Sequence, residues 1–174
     1  MSITVILGSE DKAVFEIVNE DSDLPYLLVC EHAGKAVSAS LNNLGLSEEA
    51  FEKHYAVDVG AREMAEELAG RLGATTLIAN YSRLVVDLNR RVSHPAAFPT
   101  SGEGQPVPGN ISMSEEERAE RIAEFYDPFH DYIKQWIDTK LEQGIVPALI
   151  TIHSYTPEFF GQKRPWEVAA LWVQ

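Results

Sequence analysis

One cysteine, Cys30, occurs among 174 residues, so no internal disulfide can brace the fold. No apolar run approaches the ~18 residues that a membrane-spanning helix requires. The opening MSITVILGSEDK lacks a basic stretch ahead of a long apolar one and does not read as a secretory signal. Positive charge is scarce: 14 Lys and Arg stand against 27 Asp and Glu, a formal net charge of -13. That balance argues against nucleic acid or an anionic membrane as the main partner, while a local arginine pocket can still attract a small anion. Internal repeats, a glycine-rich phosphate loop and contiguous HExxH or CxxC strings are missing too. These absences point to a cytoplasmic protein that handles small molecules.

What is present suits one globular domain over residues 1–174. A hydrophobic fraction of 45% is enough for a core and speaks against wholesale disorder. Acidic runs such as Glu115-Glu116-Glu117 read as solvated helix faces. PYLLVC at 25–30 reads as a buried strand ending in Cys30, whose thiol is expected to pack rather than react. Apolar residues from Ala61 to Leu72 recur at helical spacing before Gly73, a helix stop. ATTLIAN at 74–80 and LVVDL at 84–88 read as further strands. A long stretch rich in proline and glycine, 89–114, reads as a functional or mobile loop. Ser114 and Glu117 form a capping box, and the helix that follows shows an apolar face from Ile122 to Leu141. Pro128 is expected to kink or divide it, and Gly144 to end it. VPALITI at 146–152 reads as a central strand, and VAALWV at 168–173 as a closing one. Apolar strands alternating with helices predict an α/β three-layer sandwich with a mostly parallel or mixed sheet.

Two polar pairs, Glu31-His32 and His153-Ser154, each follow a predicted strand, where open α/β sheets bind ligands. A hydrolytic zinc site needs about three ligands from His, Asp or Glu, with a position left for water. His32 and His153 are the candidates, with Glu31 or Asp58 as the carboxylate. Asp58 shares a helical face with His54 if this segment is helical, but it also reads as the N-cap of the helix that follows. His54 also reads as a structural histidine. In YSRLVVDLNR, 81–90, Arg83, Asn89 and Arg90 are candidate grips for a carboxylate. The alternative is that both arginines pair with Asp87 or with surface glutamates, and Asp87 itself reads as a loop anchor. Tyr126 and His130 share a face that reads as core. Arg164 and Trp166 follow a glycine-bearing turn placed to fold back over the site.

The ordered strings EHAG, HxxxDxGA, YSRLVVDLNR, YDPFH, IHSYTP and KRPW resemble the N-formylglutamate amidohydrolase family over residues 25–174. The resemblance implies a phosphorylase/hydrolase-like fold related to zinc carboxypeptidases and aspartoacylases, and hydrolysis of N-formyl-L-glutamate. It implies His32 and His153 as zinc ligands, Asp58 as a ligand or active-site carboxylate, and Asn89-Arg90 as the substrate grip. With Arg83 or Arg164 assisting, these groups would hold a small carboxylate substrate. In two respects the chain departs from the pattern. His32 lacks the glutamate, separated from the histidine by two residues, that relatives commonly use as an adjacent ligand. Relatives also continue past VAALWV into a strand bearing a general-base glutamate, a role Glu31 would have to fill here. The expected domain is thus C-terminally shortened, with a non-catalytic carboxylate-binding remnant as the competing reading. Exposed Trp166, Leu171 and Trp172 would favour a homodimer.

Overall fold

The computed structural model describes residues 6–159 and 161–172. Four strands form the central sheet in the order β1-β3-β2-β6, with β1 Phe15–Val18, β2 Tyr26–Cys30, β3 Thr75–Ala79 and β6 Ala148–Thr151. β2 runs parallel to β3 and to β6, while β1 lies antiparallel on β3. Period-two alternation sends Leu27, Val29, Leu77 and Ala79 to one face and Leu28, Cys30 and Ile78 to the other. Helix α1, Ala61–Leu72, covers the second face through Ala61 and Ala65, whose small side chains let helix and sheet approach closely. Gly73 closes α1 in a left-handed conformation, its N–H reaching the Ala69 carbonyl at 2.9 Å.

The first face is covered by a longer helical segment. It consists of α3, Glu115–Arg121, a π-helical turn over Ile122–Tyr126, and α4, Asp127–Glu142. The π turn lies immediately before Pro128, where the missing amide donor interrupts the helical ladder, so the segment is divided as expected. Phe125, Phe129 and Trp136 from this segment fill the core against the sheet. Burying each contributes roughly 1.5–3 kcal/mol. The result is a three-layer α/β sandwich with a mixed, mainly parallel sheet. Ser114 caps the entry, its hydroxyl accepting from the Glu117 N–H at 3.1 Å. Replacing Ser114 with alanine is expected to cost about 1 kcal/mol in urea unfolding. A change below a few tenths would mean that packing alone fixes this terminus.

Three strand expectations are corrected. LVVDL at 84–88 is buried but turned, because side chains compete with a ladder for the backbone amides. The Ser82 hydroxyl accepts from Leu84 N–H at 3.2 Å, and the Asp87 carboxylate accepts from Asn89 N–H at 3.0 Å. β6 is an edge strand rather than a central one among the described residues, with Leu149 and Ile150, on opposite faces, 47% and 46% exposed. Residues 168–172 form no strand, since none of the described strands pairs with them; Val173 lies outside the described residues. The long 89–114 stretch is ordered into a hairpin of β4, Ser101–Gly102, and β5, Gln105–Pro106, followed by the short helix α2, Pro108–Ile111. A last hairpin pairs β7, Glu158–Phe159, with β8, Gln162–Lys163. None of the described helices is long and apolar enough to cross a membrane.

Candidate active site

The site forms where β2 and β6 end side by side. β2 delivers Glu31 and His32, and β6 delivers His153, so the parallel pairing that joins Val29 to Thr151 sets the two histidines together. Gly34 lets the chain turn away at once. A Cβ there would stand 2.0 Å from the Asn80 carbonyl carbon, so the EHAG string needs glycine for close backbone approach. Asp58 precedes α1 and is tied back by its own N–H to the His32 carbonyl at 3.0 Å. It is not the N-cap, a position that Gly60 holds.

The imidazoles of His32 and His153 lie 4.9 Å apart between ring centres. Each of His32, Asp58 and His153 offers a ligand atom within 4.8 Å of the other two, a group able to hold a metal ion. His153 Nδ1 donates to Asp58 Oδ2 at 2.9 Å, and its Nε2 faces the Asn89 amide nitrogen at 3.3 Å. His32 Nε2 donates to Asp87 Oδ1 at 2.8 Å. That bond leaves the lone pair on His32 Nδ1, buried without a hydrogen-bond partner and 3.6 Å from Asp58 Oδ2. Glu31 Oε2 is the second buried orphan, 3.6 Å from His153 Nε2. An imidazole anchored to a carboxylate through one nitrogen, with the other nitrogen bare, is how proteins present histidine to a metal. Buried polar atoms seldom lack partners, and the bare His32 Nδ1 facing the Asp58 carboxylate fits a cation that would satisfy it.

The electrostatics divide the carboxylates. Burial lifts the Glu31 carboxyl above the usual carboxylate range, and the neighbouring His153 offsets this only in part. Asp58 is also penalised by burial, yet contacts with His153 and His32, then Arg83, hold it well below the usual range. Asp87 is lowered to about 2, because His32 and Arg83 outweigh its burial. Burial alone would lower the His32 imidazole; Asp58 and Asp87 reverse the sign and raise it.

The arginines divide as well. Arg83 spends both terminal nitrogens on the site's own acids, 3.4 Å from Asp58 Oδ1 and 2.8 Å from Asp87 Oδ2. Arg90 meets Asp87 through Nε at 3.3 Å, leaving its outer fork toward solvent. Arg164 lies in the β7–β8 hairpin, stacked 4.9 Å from the Tyr155 ring centre. His54 Nδ1 approaches Asp58 Oδ1 to 3.9 Å from a partly exposed position. Asp87 pairs with both Arg83 and Arg90, the alternative the sequence offered, and also holds His32, a contact not read from the sequence. The signal was there: a lone acid in an otherwise apolar run, bracketed by arginines. His130 buttresses the same loop, its Nε2 donating to the Leu88 carbonyl at 3.0 Å.

Comparison with known proteins gives a consistent answer. A family model described as N-formylglutamate amidohydrolase matches residues 24–170. The N-formylglutamate deformylase of Pseudomonas putida is 30% identical over 155 residues, covering 82% of this chain and 57% of that protein. A Pseudomonas aeruginosa protein of the same name is 32% identical over 113 residues, covering 57% of this chain and 42% of its own length. The crystal structure of a gene product from Agrobacterium tumefaciens superposes with a TM-score of 0.87 at 34% identity, over 91% of this chain and 63% of that one. The chain thus spans only part of the length of each relative.

Proposed function

The chain belongs to the N-formylglutamate amidohydrolase family, and on that premise we propose that it hydrolyses the amide bond of N-formyl-L-glutamate or a closely related N-acyl amino acid. The observation that carries this reading is the convergence of His32, Asp58 and His153 beside two buried, unpartnered atoms, His32 Nδ1 and Glu31 Oε2. His32, Asp58 and His153 would hold a divalent ion, zinc by the character of the donors; when bound, it supplies a charge that polarises a carbonyl and acidifies water.

The remaining work falls to the chain itself. Asp87 fixes the His32 ring, and Arg83 keeps Asp58 and Asp87 ionised and in place. Arg90, through its outer fork, and Asn89 bind a substrate carboxylate, presenting the amide beside His153. Glu31, with its raised proton affinity, accepts a proton from the attacking water and delivers it to the amide nitrogen. The new bond joins water oxygen to the formyl carbon, the C–N bond breaks, and formate and the amino acid leave. Self-association of two copies over 166–172, where Trp166, Leu171 and Trp172 stand exposed, belongs to the same reading.

Steady-state assays on N-formyl-L-glutamate test the reading. Arg90→Ala is expected to raise KM by about tenfold or more with a smaller change in kcat, and Arg90→Lys to recover little of it because the planar fork is lost. Absence of turnover in the zinc-supplied chain, with the carboxylate still bound, would replace the hydrolase by a carboxylate-binding module.

A further inference from the structure

The segment from Ser82 to Val92 carries Arg83, Asp87, Asn89 and Arg90, yet it lies in none of the described helices or strands. Its carbonyls have no ladder to join, and side chains from three helices take them instead. Asn110 of α2 donates through Nδ2 to the Leu84 carbonyl at 2.8 Å, and Arg121 of α3 through Nη1 to the Val85 carbonyl at 3.2 Å. His130 of α4 donates to the Leu88 carbonyl at 3.0 Å, and Arg118 of α3 to the Val92 carbonyl.

Arg121 is at the centre of this arrangement. Its side chain is 1% exposed, and it also donates to Asn110 Oδ1 at 2.6 Å and to Glu117. With its oxygen turned to Arg121, the Asn110 amide aims both donors at carbonyls, those of Leu84 and, also at 2.8 Å, Pro99. One side chain thereby joins the two ends of the 84–99 stretch. The support beneath it is tight: a Cβ at Gly109 would stand 2.9 Å from Leu44 Cα, so α2 is seated directly on the 39–45 turn.

For stability alone this arginine is a poor choice. Taking a guanidinium out of water is costly, and a single ion pair to a partly exposed glutamate offsets that cost incompletely. Its Nε has no hydrogen-bond partner among the described residues. An apolar side chain would fill the same space without either cost. What arginine supplies is direction, several donors held at fixed angles by a planar fork.

We propose that Arg121 is a positioning residue for the site. With Asn110 it fixes the Leu84 and Val85 carbonyls, and so the turn from which Asp87 holds the His32 ring and Asn89 and Arg90 face the substrate. It acts only through those residues. Its consequence for catalysis rests on the hydrolase reading above; its consequence for the turn does not.

Hydrogen exchange of the zinc-free chain, with zinc titration against a chromophoric chelator, tests the proposal. The amides of Asp87, Asn89 and Arg90 are bonded to the Ala97 carbonyl, the Asp87 carboxylate and the Asp87 carbonyl. In Arg121→Met they should exchange at least about tenfold faster relative to the amides of β2 and β3. Zinc affinity should fall about tenfold or more, because Asp87 no longer orients His32. Asn110→Ala should reproduce both changes, and the double variant should add little to either, since the two side chains act as one unit. Arg121→Lys, which keeps the charge without the fork, should recover little. Trp136→Leu, a cut into the same core further along α4, should speed exchange in sheet and turn alike and leave zinc affinity within about twofold. Unchanged turn exchange in Arg121→Met, or the same turn-confined loss in Trp136→Leu, would overturn the proposal. If Arg121→Met does not fold, Asn110→Ala and Arg121→Lys carry the same comparison. A wild type that takes up no zinc or hydrolyses no N-formyl-L-glutamate would remove the metal or the hydrolase. Exchange alone then decides: an effect confined to the turn sustains the positioning role, and a uniform one ends it.

Discussion

His153→Ala is expected to lower hydrolysis of N-formyl-L-glutamate by about 10³-fold or more and to leave the purified chain with little bound zinc. The imidazole joins three parts of the site: Asp58 through Nδ1, and Asn89 and Glu31 at Nε2. Its loss removes one of three candidate ligands and the neighbour that restrains Glu31 protonation. Folding should change by about 1 kcal/mol or less, since the ring is partly exposed and surface polar changes are usually small. His54→Ala is the control: that ring stands 3.9 Å from Asp58 at the margin of the site, and a loss below about tenfold is expected. Chelation of the wild type should reproduce the His153→Ala loss, and added zinc should restore activity to the wild type alone. Full zinc content in His153→Ala would end the ligand assignment.

Asp87→Asn is expected to act on both stability and metal affinity. One buried carboxylate accepts from His32 Nε2, the Asn89 N–H and Arg83, and it faces Arg90 Nε at 3.3 Å. Asparagine keeps the shape but turns an NH₂ group toward donors, so at least one contact becomes repulsive. Metal affinity should fall by about 10–100-fold, the usual effect of losing a partner that orients a ligand. The native carboxyl is lowered from 3.8 to about 2, so its stabilisation is fully present above the unfolded value and is lost as pH falls through the native one. Integrated over that interval the contribution is roughly 2 kcal/mol. Urea unfolding of metal-free wild type and Asp87→Asn should therefore show a constant gap above about pH 5 that closes toward about pH 2. A gap independent of pH would mean that Asp87 acts through shape and not charge.

How much of this was legible in the sequence depended on whether a feature is local. The helix from Ala61 to Leu72, the Ser114 cap, the break before Pro128 and the strands ending at Cys30 and Ala79 follow from residues a few positions apart. Periodicity, capping chemistry and a missing amide donor act over that range. The histidines were legible because each directly follows an apolar strand, the position at which α/β sheets expose side chains to ligands.

The misreadings share a physical cause. LVVDL has the composition of a strand, yet Ser82 captures the amide of its first residue and Asp87 that of Asn89 just past its end, and burial is satisfied equally well by turns. VPALITI is apolar on both faces, but a strand's place in a sheet depends on its neighbours, and among the described residues β6 has only β2. For Arg83 two readings stood open, a substrate grip or a partner of Asp87; the fold adds Asp58, which comes from a separate loop, to the ion pair with Asp87. The sequence by itself determined the class of fold, the two histidines and the acids available to them. Which acid meets which histidine, which arginine turns to which acid, and that Glu31 Oε2 is buried without a hydrogen bond were decided only by the tertiary structure. Those outcomes depend on distances between segments up to 122 residues apart, such as Glu31 and His153, which no local interaction encodes.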